Sequence, residues 1–573
     1  MQPLDWIVVA AYFGLIITVG YWTGRGNRGL EDYFLARRSM PWYAMGLSVM
    51  ATQASAITLV GTTGQAYVDG MRFIQIYFAL PIAMVILCVT VVPLFYRARV
   101  FTAYEYLEQR CGPHTRSLTS LLFLFGRALS GAVVIYAPSV VLSVVFSLDE
   151  TLTILIIGGF ATIYTALGGM RAVMWVETWQ MLIILLGILF CLGSVIWGLP
   201  DEVSLGEALR LAGSTGRLET LSFDTDPRQT YTVWTGLLGG LFLMLSYFGC
   251  DQSQVQRYLT GRSLRESRLS LIFNAFAKLP VQFVILLTGA LLFVFYQFER
   301  PPVLFDPVTL AETRAAEPEA MAAMEARYET AFAERRTAAL DYAEADGVSS
   351  EAALKERYVA ADLAFQETRA EAVRTAAEVK GEPWSDTNHV FPTFVFTQLP
   401  PGVVGLILVA VLAAAMSTVE SELSALSTAS VVDFYRRFRN RFVRGPTSDR
   451  HDLIAGRIGI LFWGTVATGA ALYMGRLGSA VEAVNRVGSF FYGPILGAFV
   501  LAAVFPNRGA RRAFPAVLCG VAAVWAADLV PRALGIEGVS YLYYNLIGTA
   551  VTVGVGLLLG RVAGGDAREA GTR

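Results

Sequence analysis

The chain has 573 residues, 55% of them hydrophobic, 12% aromatic and only 16% charged, with a mean hydropathy of +0.52. That balance argues against the several soluble domains its length alone would allow and describes a polytopic membrane protein. A net charge of −1 gives no electrostatic basis for a nucleic-acid partner, and five cysteines without paired spacing exclude a disulfide framework.

Crossing the hydrocarbon core takes roughly 20 apolar residues. Windows that meet or nearly meet this length run over 4–22, 42–64, 73–96, 118–148, 151–167, 172–197, 233–249, 269–298, 402–432, 453–474, 481–505, 513–529 and 542–561. They predict about thirteen helices. Residues 1–5 carry no charged n-region and no cleavage site, so the first window reads as a retained span. Basic loops follow every second window: Arg25, Arg28, Arg37 and Arg38 after the first, Arg97 and Arg99 after the third, and Arg171 after the fifth. Arg257, Arg262, Arg265 and Arg268 follow the seventh, and "DFYRRFRNRFVRG" follows the ninth. The intervening loops are acidic or nearly free of Arg and Lys, which places the N-terminus outside and the tail after Arg561 in the cytoplasm.

Between the eighth and ninth windows the hydropathy collapses over residues 299–388, with helical charge patterning such as "MEARYETAFAERRTAALDYAEA". This segment reads as a solvated helical hairpin over the outer face. The chain is thus expected to be one transport unit, with spans in 1–298 and 389–573 and an extracytoplasmic insert at 299–388.

The ninth window ends in "AAAMSTVESELSALSTAS", where Ala414, Ser417, Thr418 and Ser421 share one stripe of a helix. Hydroxyls there serve either as glue between helices or as a cation cradle, because a hard ion stripped of water needs about five or six oxygens. The missing carbonyls would come from a broken helix, and the second window, "LSVMATQASAITLVGTTGQAYVDG", has the poor helix composition such a break requires. Arg127 and Lys278 lie inside apolar windows and are tolerated only beside a counter-charge or a cavity. Ion pairing with Glu177 or Glu420 and contact with a ligand are both open for each. Only three histidines occur, all in expected loops, and no nucleophile–base pair, Cys/His cluster or nucleotide-binding loop appears, so an enzyme is not expected.

Several motifs in order give the chain a resemblance to the sodium/solute symporter family, relatives of the sodium/glucose cotransporters. They are "DYFLARRSMPW", "YTALGGMRAVMWVETWQ", "DQSQVQRYLTGRS", "AAAMST" and "GSFFYGPILGAFVLAAVF". The resemblance implies an all-α broken-helix transporter fold with two five-helix inverted repeats, spans two to six and seven to eleven. It implies sodium as the coupling ion, held by backbone oxygens of Ala51, Ala54 and Ala414 and side-chain oxygens of Ser417 and Thr418. Some members add a second site, whose positions here are Glu177, Glu420 and Ser421, for sodium or a proton. The positions facing the central cavity are Gln53, Ser55, Thr58, Gln75, Arg127, Tyr247, Phe248, Lys278 and Asn485. Sugar-transporting relatives use a Glu and an Asn where Tyr77 and Met244 stand, which weakens a hexose. Sialic acid transporters of the family set an Arg against the substrate carboxylate, and Arg127 matches it.

The expected function is sodium-coupled import of a small organic solute, namely a sugar, sialic acid or carboxylate, in the cell (inner) membrane. The lipid bilayer and that solute are the expected partners, and no obligate protein partner is evident. The alternative is a membrane sensor built on the same fold, for which the tail "VAGGDAREAGTR" is too short an output module.

Overall fold

The computed structural model describes residues 1–24, 29–146, 149–345, 350–381, 384–442, 448–474, 480–506 and 509–570. Side chains at 57, 137, 140–141, 144–146, 440–442, 480–487 and 563–570 fall outside the description.

Every apolar window meets a helix. Among the described residues nine helices are long and apolar enough to cross a membrane. The thirteen windows are made up by a bent pair, by one 48-residue helix that serves two of them, and by two shorter apolar helices. In chain order these are α1 (Pro3–Gly24), the bent pair α2 (Trp42–Gln53) and α3 (Thr58–Asp69), α4 (Met71–Ala98), α5 (Pro113–Phe146) and α6 (Glu150–Trp197). Then follow α7 (Thr235–Cys250), α8 (Gln252–Leu259) and α9 (Leu264–Phe298). The insert contributes α10 (Pro318–Ala343) and α11 (Glu351–Lys380), and α12 (Thr387–Gln398) leads back to the membrane. The last part holds α13 (Val403–Ala429), α14 (Asp449–Ala471), α15 (Ala480–Val504), α16 (Ala513–Ala533) and α17 (Leu542–Ala570).

Three interruptions shape the molecule. α2 and α3 meet at a bend of 62°. Within α6, Gly169 adopts φ 68°, ψ 177°, a conformation essentially reserved for glycine, and divides the fifth span from the sixth. After α7 the chain extends at Asp251 (φ −77°, ψ 120°) and resumes as α8, whose first amides the Asp251 carboxylate caps through Ser253 N at 2.8 Å. The first span of each expected repeat is therefore broken.

This corrects one expectation. The windows leave "QSQVQRYL" in the basic loop after the seventh span, yet every residue of α8 is buried and Arg257 is 0% exposed. Hydropathy misses such a segment because its polar groups are covered by neighbouring helices rather than by water.

α13 lies at the centre, with nearly every residue from Val404 to Ala429 buried, whereas α1, α14 and α16 are mostly lipid-facing. A helix surrounded by protein can carry hydroxyls and acids that lipid would reject.

The insert differs from a hairpin bathed in water. α10 and α11 pack on each other over Tyr328, Phe332 and Phe365, and Arg335, Asp362 and Arg369 are buried. Its attachments to the membrane helices are therefore specific contacts.

Candidate functional site

The break between α2 and α3 frees carbonyl groups that a continuous helix would use. The last regular bond is Ala54 N to Met50 O at 2.8 Å. Beyond it, the Ser417 hydroxyl donates to Ala51 O and Ala414 O, both at 3.1 Å, and the Thr418 hydroxyl to Thr52 O and Ala414 O, also both at 3.1 Å. Ala54, at the break itself, is buried and non-helical (φ −84°, ψ 55°). The result is a cradle of carbonyl and hydroxyl oxygens between α2 and α13 without a carboxylate in its inner layer. Such neutral oxygen donors suit a hard monovalent cation, which the hydroxyls meet by turning their protons away. Four of the five expected sodium ligands, Ala51, Ala414, Ser417 and Thr418, are joined by these bonds, and Ala54 follows Ala51 by one helical turn.

One wall further in is a cavity of about 140 Å³. Gln53, Ser55, Thr58, Arg127 and Tyr247, all expected there, line it, as do Phe73, Tyr77, Met244, Thr418, Glu422 and Tyr492. Thr418 thus belongs both to the cradle and to the cavity.

Two cations approach this cavity, and their circumstances differ. Arg127 is saturated with negative charge: Nη1 donates to Glu422 Oε1 at 2.7 Å, and Nη2 donates to Asp251 and, at 2.6 Å, to the Tyr492 hydroxyl. Its guanidinium also lies 5.5 Å from the Tyr247 ring centre and 5.7 Å from that of Tyr492. Its partners are neither Glu177 nor Glu420, and two carboxylates already occupy the fork expected to read a ligand. Lys278 is 0% exposed, with no carboxylate within ion-pair distance among the described residues. Among the described residues its ammonium reaches Gln53 O, at 3.4 Å, and the face of Tyr77, 5.4 Å from the ring centre, so, contrary to expectation, it lines no part of the cavity but sits directly behind two residues that do.

The expected second site is rearranged. Glu177 and Ser421 do meet, at 2.9 Å, but around the guanidinium of Arg257, which pairs with Glu177 Oε1 at 2.5 Å and also contacts Ser421. Arg257 Nε donates to the Ser48 hydroxyl at 3.0 Å, and that hydroxyl donates to Glu177. A side-chain cation therefore stands where a second ion was expected, because α8 carries Arg257 into the bundle. Glu420 does not join the group: fully buried, it lies beside the Gln180 side chain and near Tyr12.

Two further expectations fail on geometry. Gln75 spends its side chain on Arg72 O (3.2 Å), Tyr231 O (3.0 Å) and Ser222 N (3.1 Å), which fastens a loop rather than facing the cavity. Phe248 is wholly buried, edge-on to Tyr247 at 5.0 Å, and lines no part of the cavity. The Asn485 side chain lies outside the described residues. Asp251, Glu422, Tyr492 and Asn274, the last accepting from Gln53 Nε2 at 2.9 Å, were not singled out as site residues. For Glu422, inside the ninth window, a signal existed, since an intramembrane acid requires a partner.

Comparison with known proteins identifies the family and the fold. A model of the sodium:solute symporter family matches residues 33–323 and 362–520. The human (Homo sapiens) sodium/iodide cotransporter is 33% identical over 51% of this chain and 45% of its own length, so the match spans less than half of that relative. The sodium-dependent multivitamin transporter of Oryctolagus cuniculus is 27% identical over 91% of this chain and 70% of its own. The sodium-coupled monocarboxylate transporter 1 of Xenopus laevis is 24% identical over 98% and 86%. Among solved structures, a Na+-coupled sialic acid symporter in a substrate-bound, outward-open state superimposes with a TM-score of 0.74 at 22% identity, covering 98% of both chains, and shows the shared fold.

Proposed function

Because the chain belongs to the sodium:solute symporter family, we propose that it carries sodium and a small organic anion together into the cell by alternating access. The observation that carries this reading is the double membership of Thr418, whose hydroxyl is part of the oxygen cradle and whose side chain lines the cavity. An ion in the cradle and a solute in the cavity then adjoin, and each improves the other's site. The sodium ligands in this reading are the carbonyls of Ala51, Ala54 and Ala414 with the hydroxyls of Ser417 and Thr418.

The charge of the solute follows from Lys278. Arg127 brings its own two carboxylates, while among the described residues Lys278 has none, so the ammonium, one residue behind the cavity wall, is the group whose charge an incoming anion offsets. Two of the relatives are named for anions, iodide and monocarboxylates, in accord with this. Gln53, Ser55, Thr58 and Tyr247 provide the polar contacts that orient the solute. The basic loops support a multi-pass arrangement in the cell (inner) membrane, with the N-terminus and the insert 299–388 outside and the C-terminus in the cytoplasm.

The test is uptake by purified protein in proteoliposomes, with an inward sodium gradient against an equal potassium gradient. The panel is a short monocarboxylate, sialic acid, a hexose and the amide of the monocarboxylate. Sodium-dependent accumulation of the monocarboxylate but not of its amide is expected. Lys278→Gln should raise its half-saturating concentration by roughly tenfold or more, about 1.4 kcal/mol. Equal uptake of acid and amide refutes the anion reading, and uptake indifferent to sodium refutes the symport reading.

A further inference from the structure

Two buried arginines fasten the insert to the membrane helices, and one of them reaches the outer half of the broken helix. Arg335 on α10 donates to Tyr296 O, at the end of α9, at 2.5 Å and lies 3.5 Å from Asp362 of α11. Arg369 on α11 donates through Nη2 to both carboxylate oxygens of Asp386, at 2.7 and 2.6 Å, immediately before α12. The same carboxylate accepts from Phe305 N at 2.7 Å, and the Arg369 guanidinium covers the Phe305 ring at 4.9 Å. Phe305 in turn meets Tyr67 of α3 edge-on at 5.7 Å, and its carbonyl accepts from Thr393 of α12 at 3.1 Å. α12 lies directly on α3: a Cβ built at Gly64 would collide with the carbonyl oxygen of Thr387.

Arg369, Asp386 and Phe305 therefore form one buried knot joining the insert, α12 and α3. Ser55, Thr58 and Thr62, in or beside α3, line the cavity, so α3 cannot swing away from it without α12 and α11 moving too. A buried charge pair in which one nitrogen grips two oxygens is a discrete contact, made or broken rather than stretched.

We infer that Arg369 and Asp386 are positioning residues of the outer gate: their pair latches α12 and α3 over the cavity, and the insert carries the latch. This goes beyond the solute and ion assignments and rests on the alternating-access reading only for the word gate. Weakening the pair favours the form open to the insert side; restoring it in any orientation closes that form again.

The experiment places a Phe73→Cys reporter, which faces the cavity from the start of α4, in a background with the exposed Cys519 changed to Ser. Its modification by a membrane-impermeant maleimide is timed on intact cells. Asp386→Asn and Arg369→Gln should label roughly tenfold faster than the parent, the loss of about 1.4 kcal/mol of latch. Arg369→Lys, which keeps the charge on a side chain of shorter reach, should fall between. The exchange Arg369→Asp with Asp386→Arg should return toward the parental rate. Parental or slower labelling in the Lys variant and in whichever single variants fold, or an exchange protein no slower than Asp386→Asn, overturns the latch. A separate Leu363→Cys, on the exposed face of α11, reports whether the insert faces outside, and sodium-driven uptake is measured on its own. Failure of sidedness or of symport is thus distinguished from failure of the latch.

Discussion

Thr418 gives up one hydroxyl to two carbonyls, and its removal tests the cradle most directly. Thr418→Ala should raise the sodium concentration for half-maximal uptake by roughly tenfold, about 1.4 kcal/mol, with unchanged expression. Sodium titrations of uptake check it, and Ser417→Ala should behave alike. Arg127 makes a different prediction. Arg127→Gln leaves Asp251 and Glu422 buried without a cation, which should destabilise the protein by about 3–5 kcal/mol. Adding Glu422→Gln should recover part of that in thermal unfolding, whereas a ligand-reading arginine would leave stability nearly intact. Single residues were the least legible scale in the sequence. The hydroxyl pair stood out because polar groups in an apolar run demand a reason, and the geometry placed them against freed carbonyls. The partners of Arg127 did not, since Asp251 and Glu422 lie 124 and 295 positions away and only helical neighbours can be read from spacing.

Elements were far more legible, because lipid permits only helices whose outer faces are apolar and whose length is set by bilayer thickness. The windows found every apolar span, including the two served by α6. What they could not show was a buried helix of polar composition. α8 reads as loop because Gln252, Ser253, Gln254, Gln256 and Arg257 all score as water-seeking, although each is covered by protein. The interruption of α6 had a visible sign in the pair Gly168 and Gly169. Gly169→Ala should cost about 1–3 kcal/mol, since φ 68° with ψ 177° strains any residue with a Cβ. Denaturation of the variant in detergent measures it, and a loss within error would mean that the two halves straighten at no cost. The insert taught the same lesson in reverse: its charge pattern correctly signals helices, but pattern alone cannot tell that Arg335 and Arg369 point inward.

At the scale of the molecule, transport is a balance of charge and concentration. At about 100 mV each inward positive charge gains about 2.3 kcal/mol, and a tenfold sodium gradient adds about 1.4 kcal/mol. The share of that driving force available to the solute depends on how many charges cross together. Here the guanidinium of Arg257 fills the place between Glu177 and Ser421, and it is tied to the chain by α8, so it cannot leave with the cargo. Should one sodium accompany one monovalent anion, the pair carries no net current. The expected outcome is uptake whose initial rate is indifferent to an imposed potassium diffusion potential, inside-negative or absent, and which accumulates the anion only about as far as the sodium gradient itself allows. Arg257→Ala would unlock that place for a second mobile ion, and a voltage-stimulated rate in that variant, where the parent shows none, would mark the change from a silent carrier to an electrogenic one.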